Sequence, residues 1–256
     1  MDTSDKYTIH AAARDGRNLV VESLLNANPK LAHQKDDDER LPIHWAVSYG
    51  HLDIAILLSG VKNFDPDVQD GSGWTPLMIA VSLKEKAEEL TTLFLQKGAD
   101  VNAKSSPLSI PPPSNTNLPT NKTPANTSQT ALHFASSKNN ISIAKLLLSA
   151  NPPASARVKD ARGQYAIHRA AAVGSVPMVE LLLKNKSPMD AADDAGQTPL
   201  HHAVAEGHGD TAFALLKAGA ATDKKDVDGM LALDLAPDKE VKKFILQSAE
   251  REGIEL

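Results

Sequence analysis

Thr198-Pro-Leu-His-His-Ala-Val-Ala-Glu-Gly-His208 is the stretch from which the fold can be read, because its first four residues recur. Counterparts stand at Tyr7-Thr-Ile-His10, Leu41-Pro-Ile-His44, Thr75-Pro-Leu-Met78, Thr130-Ala-Leu-His133, Tyr165-Ala-Ile-His168 and Leu231-Ala-Leu-Asp234. Their fourth positions are separated by 34, 34, 55, 35, 33 and 33 residues, so five of six steps agree and one exceeds the period by about 22. A second string follows each first one: Leu24-Leu25, Leu57-Leu58, Phe94-Leu95, Leu147-Leu148, Leu182-Leu183, Leu215-Leu216 and Ile245-Leu246. Seven copies of a two-part signature mark a tandem repeat, in which each unit buries its apolar face only by stacking on its neighbours.

Working outward, each part of the unit has a physical reading. In Thr198-Pro199 the threonine is placed to cap a helix and the proline sits in the first turn, where its missing N–H costs nothing. Alanines such as Ala170, Ala171 and Ala203 allow close helix approach, and Leu182-Leu183 and Leu215-Leu216 fall on the buried stripe of a second helix. Gly50, Gly174 and Gly207 end first helices where a left-handed residue is easiest. Asp160-Ala-Arg-Gly163, Asp193-Asp-Ala-Gly196 and Asp226-Val-Asp-Gly229 are turn strings ahead of each following unit.

These residues resemble the ankyrin repeat. The resemblance implies an all-α solenoid of seven repeats with β-turn fingers, the repeats starting near 6, 40, 74, 129, 164, 197 and 230. It predicts a single domain over 1–256, with end units that depart from consensus. The long step falls on residues 105–128, which hold six of the sixteen prolines and only Lys122 as a charge. That segment is expected to be a flexible Pro-rich insertion replacing the finger between repeats three and four.

Composition narrows the function classes. The chain has 256 residues, 27 basic and 32 acidic side chains, a net charge of −5 and no cysteine. Those figures argue against a duplex-DNA binder, a thiolate metal site and a thiol nucleophile. No apolar run reaches the ~20 residues of a membrane span, and the N-terminal stretch carries no apolar h-region, so a cytoplasmic and nuclear location is expected. Five of nine histidines (His10, His44, His133, His168, His201) occupy the signature position, and His51 and His208 follow the inter-helix glycine. Both are structural positions, so His201-His202 with Glu206 and His208 reads as register rather than as a zinc site. No phosphate loop, nucleophile elbow or paired-carboxylate constellation stands out. The expectation is therefore no enzyme, no cofactor and no metal. A monomeric protein-binding module, with neither nucleic acid nor membrane as partner, is what remains.

The register also selects the side chains offered to a partner on the finger tips and inner face: Arg14, Arg40, Tyr49, Trp74, Leu83, Ser137, Lys138 and Glu206. Arg14, Arg40 and Lys138 suggest a basic stripe, and Glu206 with Asp194 an acidic C-terminal part, which points to a partner of mixed charge. Trp74, bulky at a finger position, is the sharpest hot-spot candidate.

Beyond the generic repeat, Gln34-Lys-Asp-Asp-Asp-Glu-Arg40-Leu-Pro-Ile-His-Trp45, Gly73-Trp-Thr-Pro76, Ser136-Ser-Lys138-Asn139 and Ile167-His-Arg-Ala-Ala-Ala172 are similar to the gankyrin family. That resemblance implies a chaperone for assembly of the 26S proteasome regulatory particle, cupping the C-terminal domain of one AAA-ATPase base subunit and blocking early docking on the core particle. It implies that Arg40 and Lys138 pair with acidic residues of that ATPase, with Trp74 and finger-tip Asp38 facing it. The competing expectation is an ankyrin-repeat adaptor with another client.

Overall fold

The computed structural model describes residues 8–105 and 127–254. All but Ser105, Thr127 and Ser128 of the Pro-rich segment 105–128, and the first repeat's start at Lys6, lie outside the described residues. Among the described residues there are thirteen α-helices and no strand, apart from one isolated antiparallel bridge between Lys225 and Leu231.

The helices alternate in pairs. Short inner helices α1 (Thr8–Arg14), α3 (Pro42–Ser48), α5 (Pro76–Ser82), α7 (Ala131–Ser137), α9 (Ala166–Ala172) and α11 (Pro199–Ala205) begin at the recurring signature. Each leads into an outer helix: α2 (Asn18–Ala27), α4 (Leu52–Ser59), α6 (Ala87–Gln96), α8 (Ile141–Leu148), α10 (Val176–Lys184) and α12 (Gly209–Lys217). The described residues fall into two compact units, one up to Ala131 and the other from Leu132. In the first, α1 packs on α3 and α3 on α5, while α2, α4 and α6 stack behind them. In the second, α9 packs on α11, and α8, α10, α12 and the final helix α13 (Lys239–Arg251) stack behind.

Small side chains hold the inner layer. Ala13, Ala46, Ala80, Ala135, Ala170 and Ala203 are fully buried, leaving the backbones of neighbouring inner helices close together. The outer layer is filled by one member of each apolar dyad. Leu25, Leu58, Phe94, Leu147, Leu182 and Ile245 are buried, whereas Leu24, Leu57, Leu95, Leu148 and Leu183 are half-exposed and Leu246 is exposed. Only Leu215-Leu216 buries both residues, because at 100° per residue two adjacent positions rarely share the core face.

The inner helices turn into the outer ones through left-handed residues: Gly16, Gly50, Asn139, Gly174 and Gly207. Gly174 needs both its φ of +73° and its missing Cβ, which would stand 2.5 Å from the His208 ring. Repeat three lacks the glycine. Its helix ends in extended Leu83, and Lys86 takes the left-handed conformation instead, lengthening the connection. The seventh repeat departs further. Ala232–Leu235 forms only a 3-10 turn, since Pro237 cannot continue a helix and holds Ala236 extended.

Candidate functional site

Between one outer helix and the next inner helix lies a finger, and five fingers share one construction. Asp36, Asp70, Asp160, Asp193 and Asp226 each donate a backbone N–H to the carbonyl four residues on: Arg40, Trp74, Gln164, Gln197 and Met230. Each Asp Oδ1 in turn accepts the backbone N–H groups two and four residues on, at 2.8–3.0 Å. One carboxylate thus closes the whole turn. Ser105 plays the same part for the finger between repeats three and four: its N–H meets the Gln129 carbonyl at 2.8 Å, and its hydroxyl accepts the Gln129 N–H at 3.0 Å. Ser105 and Gln129 thus close a finger base in the manner of the others.

In four of the five, the second carboxylate oxygen locks neighbouring side chains. Asp36 Oδ2 accepts Trp45 Nε1–H at 2.6 Å, Asp160 Oδ2 accepts Arg169 at 3.0 Å, and Asp193 Oδ2 lies 2.9 Å from both His202 Nε2 and Gln164 Nε2. Asp70 Oδ2 is met from the preceding finger by Arg40 Nε at 3.1 Å. Burial pushes Asp160 and Asp193 up, but the hydrogen bonds outweigh it and hold both carboxyls below their ordinary value. Successive fingers are also joined along the backbone: Gly71 N–H to Asp38 O, Asp194 N–H to Arg162 O and Val227 N–H to Ala195 O, each 3.0 Å.

The signature histidines stitch repeat to repeat. At the start of α3, α9 and α11, the N-cap N–H donates to Nδ1 of His44, His168 and His201. The opposite nitrogen, Nε2, therefore carries the proton and donates to the carbonyls of Val68, Ala191 and Met230. His10 and His133 reach Gln34 O and Gln164 O in the same way. Thr198 bends its hydroxyl to the His201 ring at 2.8 Å instead of capping the backbone, whereas Thr75, facing Met78, caps the helix N–H at 3.3 Å. His51 and His208 tie back to the carbonyls of Arg14 and Ala172. Burial pushes His10, His44 and His201 below the usual imidazole value, and His168 to about 4. Among the described residues, no group of three or more His, Asp or Glu side chains is arranged to hold a metal.

Ankyrin-repeat models match residues 9–105 and 132–228. The chain is 37% identical over 246 residues to the probable 26S proteasome regulatory subunit p28 of Saccharomyces cerevisiae, covering 94% of this chain and 98% of the yeast protein. It is 35% identical to the ankyrin repeat-containing protein C6C3.08 of Schizosaccharomyces pombe, over 92% of each. Over 85 residues, a third of its length, it is 36% identical to 26S proteasome non-ATPase regulatory subunit 10 of Dictyostelium discoideum. The human ASB11 ankyrin repeat domain superposes with a TM-score of 0.74 at 21% identity, covering 94% of this chain and 96% of that one. This chain belongs to the gankyrin family of ankyrin-repeat proteins.

In this gankyrin-family chain the residues selected by register fall into two groups. Arg14, Asp38, Arg40, Tyr49, Trp74 and Leu83 lie in the first unit; Ser137, Lys138 and Glu206 lie in the second. Asp38, Tyr49, Ser137, Lys138 and Glu206 are exposed, while Arg40, Trp74 and Leu83 are half-buried. Arg14 pairs with Asp15 at 3.1 Å and shares an open cleft with His10, Asp36, Asp37, Asp38 and Trp45. The basic stripe is thus largely offset at its N-terminal end: up to Ala131 the chain has 12 basic against 16 acidic residues, beyond it 15 against 16. Tyr49 stacks between Trp45 and His51, with ring centroids 6.3 and 6.4 Å apart. What the register does not disclose is the layer beneath: Asp36, Asp70 and Trp45 hold Arg40, Tyr49 and Trp74 in place. The recurring aspartate was visible in the turn strings, but its second oxygen reaches nine residues forward or back to the preceding finger, where no local pattern points.

Proposed function

We propose that this protein is a non-enzymatic assembly chaperone of the 26S proteasome regulatory particle. In this reading it binds the C-terminal domain of one AAA-ATPase base subunit and blocks premature docking on the core particle. The observation that carries the proposal is the end-to-end similarity to a proteasome regulatory subunit, 37% identity over 98% of that protein. A match confined to the repeat consensus would instead support any ankyrin adaptor. The surface chemistry is of the right kind: an oriented arginine (Arg40) and the exposed aromatic Tyr49 in one unit, and the exposed cation Lys138 in the other. Arg40 and Lys138 would meet partner carboxylates, and Trp74, Asp38, Arg14, Leu83, Ser137 and Glu206 would complete the contact. Binding and release in cytoplasm and nucleus would follow ring assembly, with no bond made or broken.

The test is calorimetric titration of the full chain against the purified C-terminal domains of the base ATPases. One domain should bind, more weakly as salt rises, and Lys138→Glu should weaken binding by about 2 kcal/mol or more if the pair is desolvated at the interface. Failure of every ATPase domain to bind at low salt would overturn the assignment.

A further inference from the structure

Arg40 is held from three sides. Its backbone N–H donates to Asp36 Oδ1 at 2.9 Å, so its own finger places its Cα. Its guanidinium carbon lies 4.8 Å from the Trp45 ring centroid, and that ring is pinned through Nε1 to Asp36 Oδ2. Its Nε donates to Asp70 Oδ2, which belongs to the next finger. The Asp70 side chain is only 2% exposed, and its Oδ1 is occupied by the N–H groups of Ser72 and Trp74. Asp70 therefore offers no atom to a partner, whereas 26% of the Arg40 side chain remains exposed.

The same register in the second unit shows what is ordinary here and what is not. Gln164 also reaches forward to the carboxylate of the next finger, Nε2 to Asp193 Oδ2 at 2.9 Å. A finger-to-finger staple at this position needs only one donor, and a neutral amide suffices. Arginine supplies that donor from Nε and keeps its terminal nitrogens, the edge of the guanidinium that grips a carboxylate through two parallel hydrogen bonds. Stacked on Trp45 and fixed at Nε, that edge has few rotamers left to lose on binding.

We propose that Asp70 is a positioning residue for partner recognition: it orients the Arg40 guanidinium on Trp45 so that the terminal edge is set for an acidic group of the bound domain. This rests on the reading that Arg40 meets a carboxylate of the ATPase domain. Asp70 acts only through Arg40, so its effect on binding disappears when Arg40 is absent.

The test is a double-mutant cycle with Asp70→Asn, Arg40→Gln and the pair, titrated against the ATPase domain that binds the wild type. Thermal melts accompany each variant. Asparagine keeps Oδ1 for the two finger amides, and glutamine keeps the staple. Asp70→Asn is expected to weaken binding about three- to tenfold, the ordering cost of one rotamer-rich side chain, and to change nothing in the Arg40→Gln background. Arg40→Lys, which retains the charge but not the fork, should bind less well than wild type. Nitrogen-15 spectra of the free protein give a readout that needs no partner: a slowly exchanging Arg40 Nε–H signal in wild type, lost in Asp70→Asn. Equal weakening by Asp70→Asn in both backgrounds would mean that it shapes the finger and nothing more. Wild-type binding by Asp70→Asn, or an unprotected Arg40 Nε–H in wild type, would likewise overturn the proposal. If no ATPase domain binds the wild type, the functional reading falls, and the Nε–H comparison alone decides whether Asp70 orients Arg40.

Discussion

Arg40 shows how far one residue can be read from a repeat register. Its position just ahead of Leu41-Pro-Ile-His44 marks it as outward-facing, and the structure leaves a quarter of its side chain in solvent. Its second job, stapling one finger to the next, was not legible, because the acceptor is 30 residues away and its identity depends on how two turns align. The two jobs separate by substitution. Arg40→Ala strands the Asp70 Oδ2 oxygen in a buried site and is expected to cost about 1–3 kcal/mol of stability. Arg40→Gln, the residue that serves at the equivalent site of repeat five, should stay within about 0.5 kcal/mol of wild type. Urea unfolding of the two variants checks this; equal midpoints would show that the Asp70 contact stabilises nothing.

Elements follow the local rules where the chemistry is local. Signature prolines start α3, α5 and α11, and the apolar dyads place the outer helices, so both sets were legible, whereas Leu41, Tyr165 and Thr198 make no side-chain cap. The departures have local causes as well. Repeat three lacks the inter-helix glycine, so extended Leu83 ends its inner helix, and Pro237 reduces the seventh inner helix to a 3-10 turn. The finger as an element hangs on one carboxylate. In the finger ahead of repeat five, Asp160 accepts the N–H groups of Arg162 and Gln164 through Oδ1 and Arg169 through Oδ2. Asp160→Ala would leave two backbone donors and a half-buried guanidinium without acceptors, an expected loss of about 2–4 kcal/mol. Asp160→Asn, which keeps Oδ1, should lose roughly half as much. Calorimetric melts distinguish them, and an alanine variant as stable as the asparagine one would show that the backbone closes the turn unaided. A glycine tells the same story at a helix end. Gly174→Ala must adopt a φ of +73° and push a methyl group into the His208 ring, which is expected to cost about 1–3 kcal/mol. A Tm at or above wild type would contradict that.

At the scale of the molecule, the buried histidines sum into one property, sensitivity to acid. Nδ1 of His44, His168 and His201 accepts from an N-cap and Nε2 donates to the neighbouring repeat, so protonation would put a proton where an acceptor is needed, inside a dry interface. Their folded-state pKa values lie below the ordinary imidazole value of 6.5, His168 at about 4. The unfolded chain regains the ordinary value, so below pH 6.5 it binds protons that the folded chain refuses. Stability from these groups is therefore present above pH 6.5 and is lost as the pH falls toward 4. For His168 the loss over that window is about 3 kcal/mol, at 1.36 kcal/mol for each unit of separation. Asp160 and Asp193, held below 3.8, add to the loss only at the acid end of the window, where the unfolded carboxyls begin to take up protons, while Asp67, raised by burial and by Asp100 and Asp65, acts in the opposite direction. The melting temperature should fall steadily between pH 7 and pH 5. His168→Gln should start lower, having lost its two backbone contacts, and fall less steeply, because one of the proton-refusing groups is gone. A wild-type melting temperature that is flat over this range, or parallel slopes for the two proteins, would show that the histidine stitches do not set the acid limit.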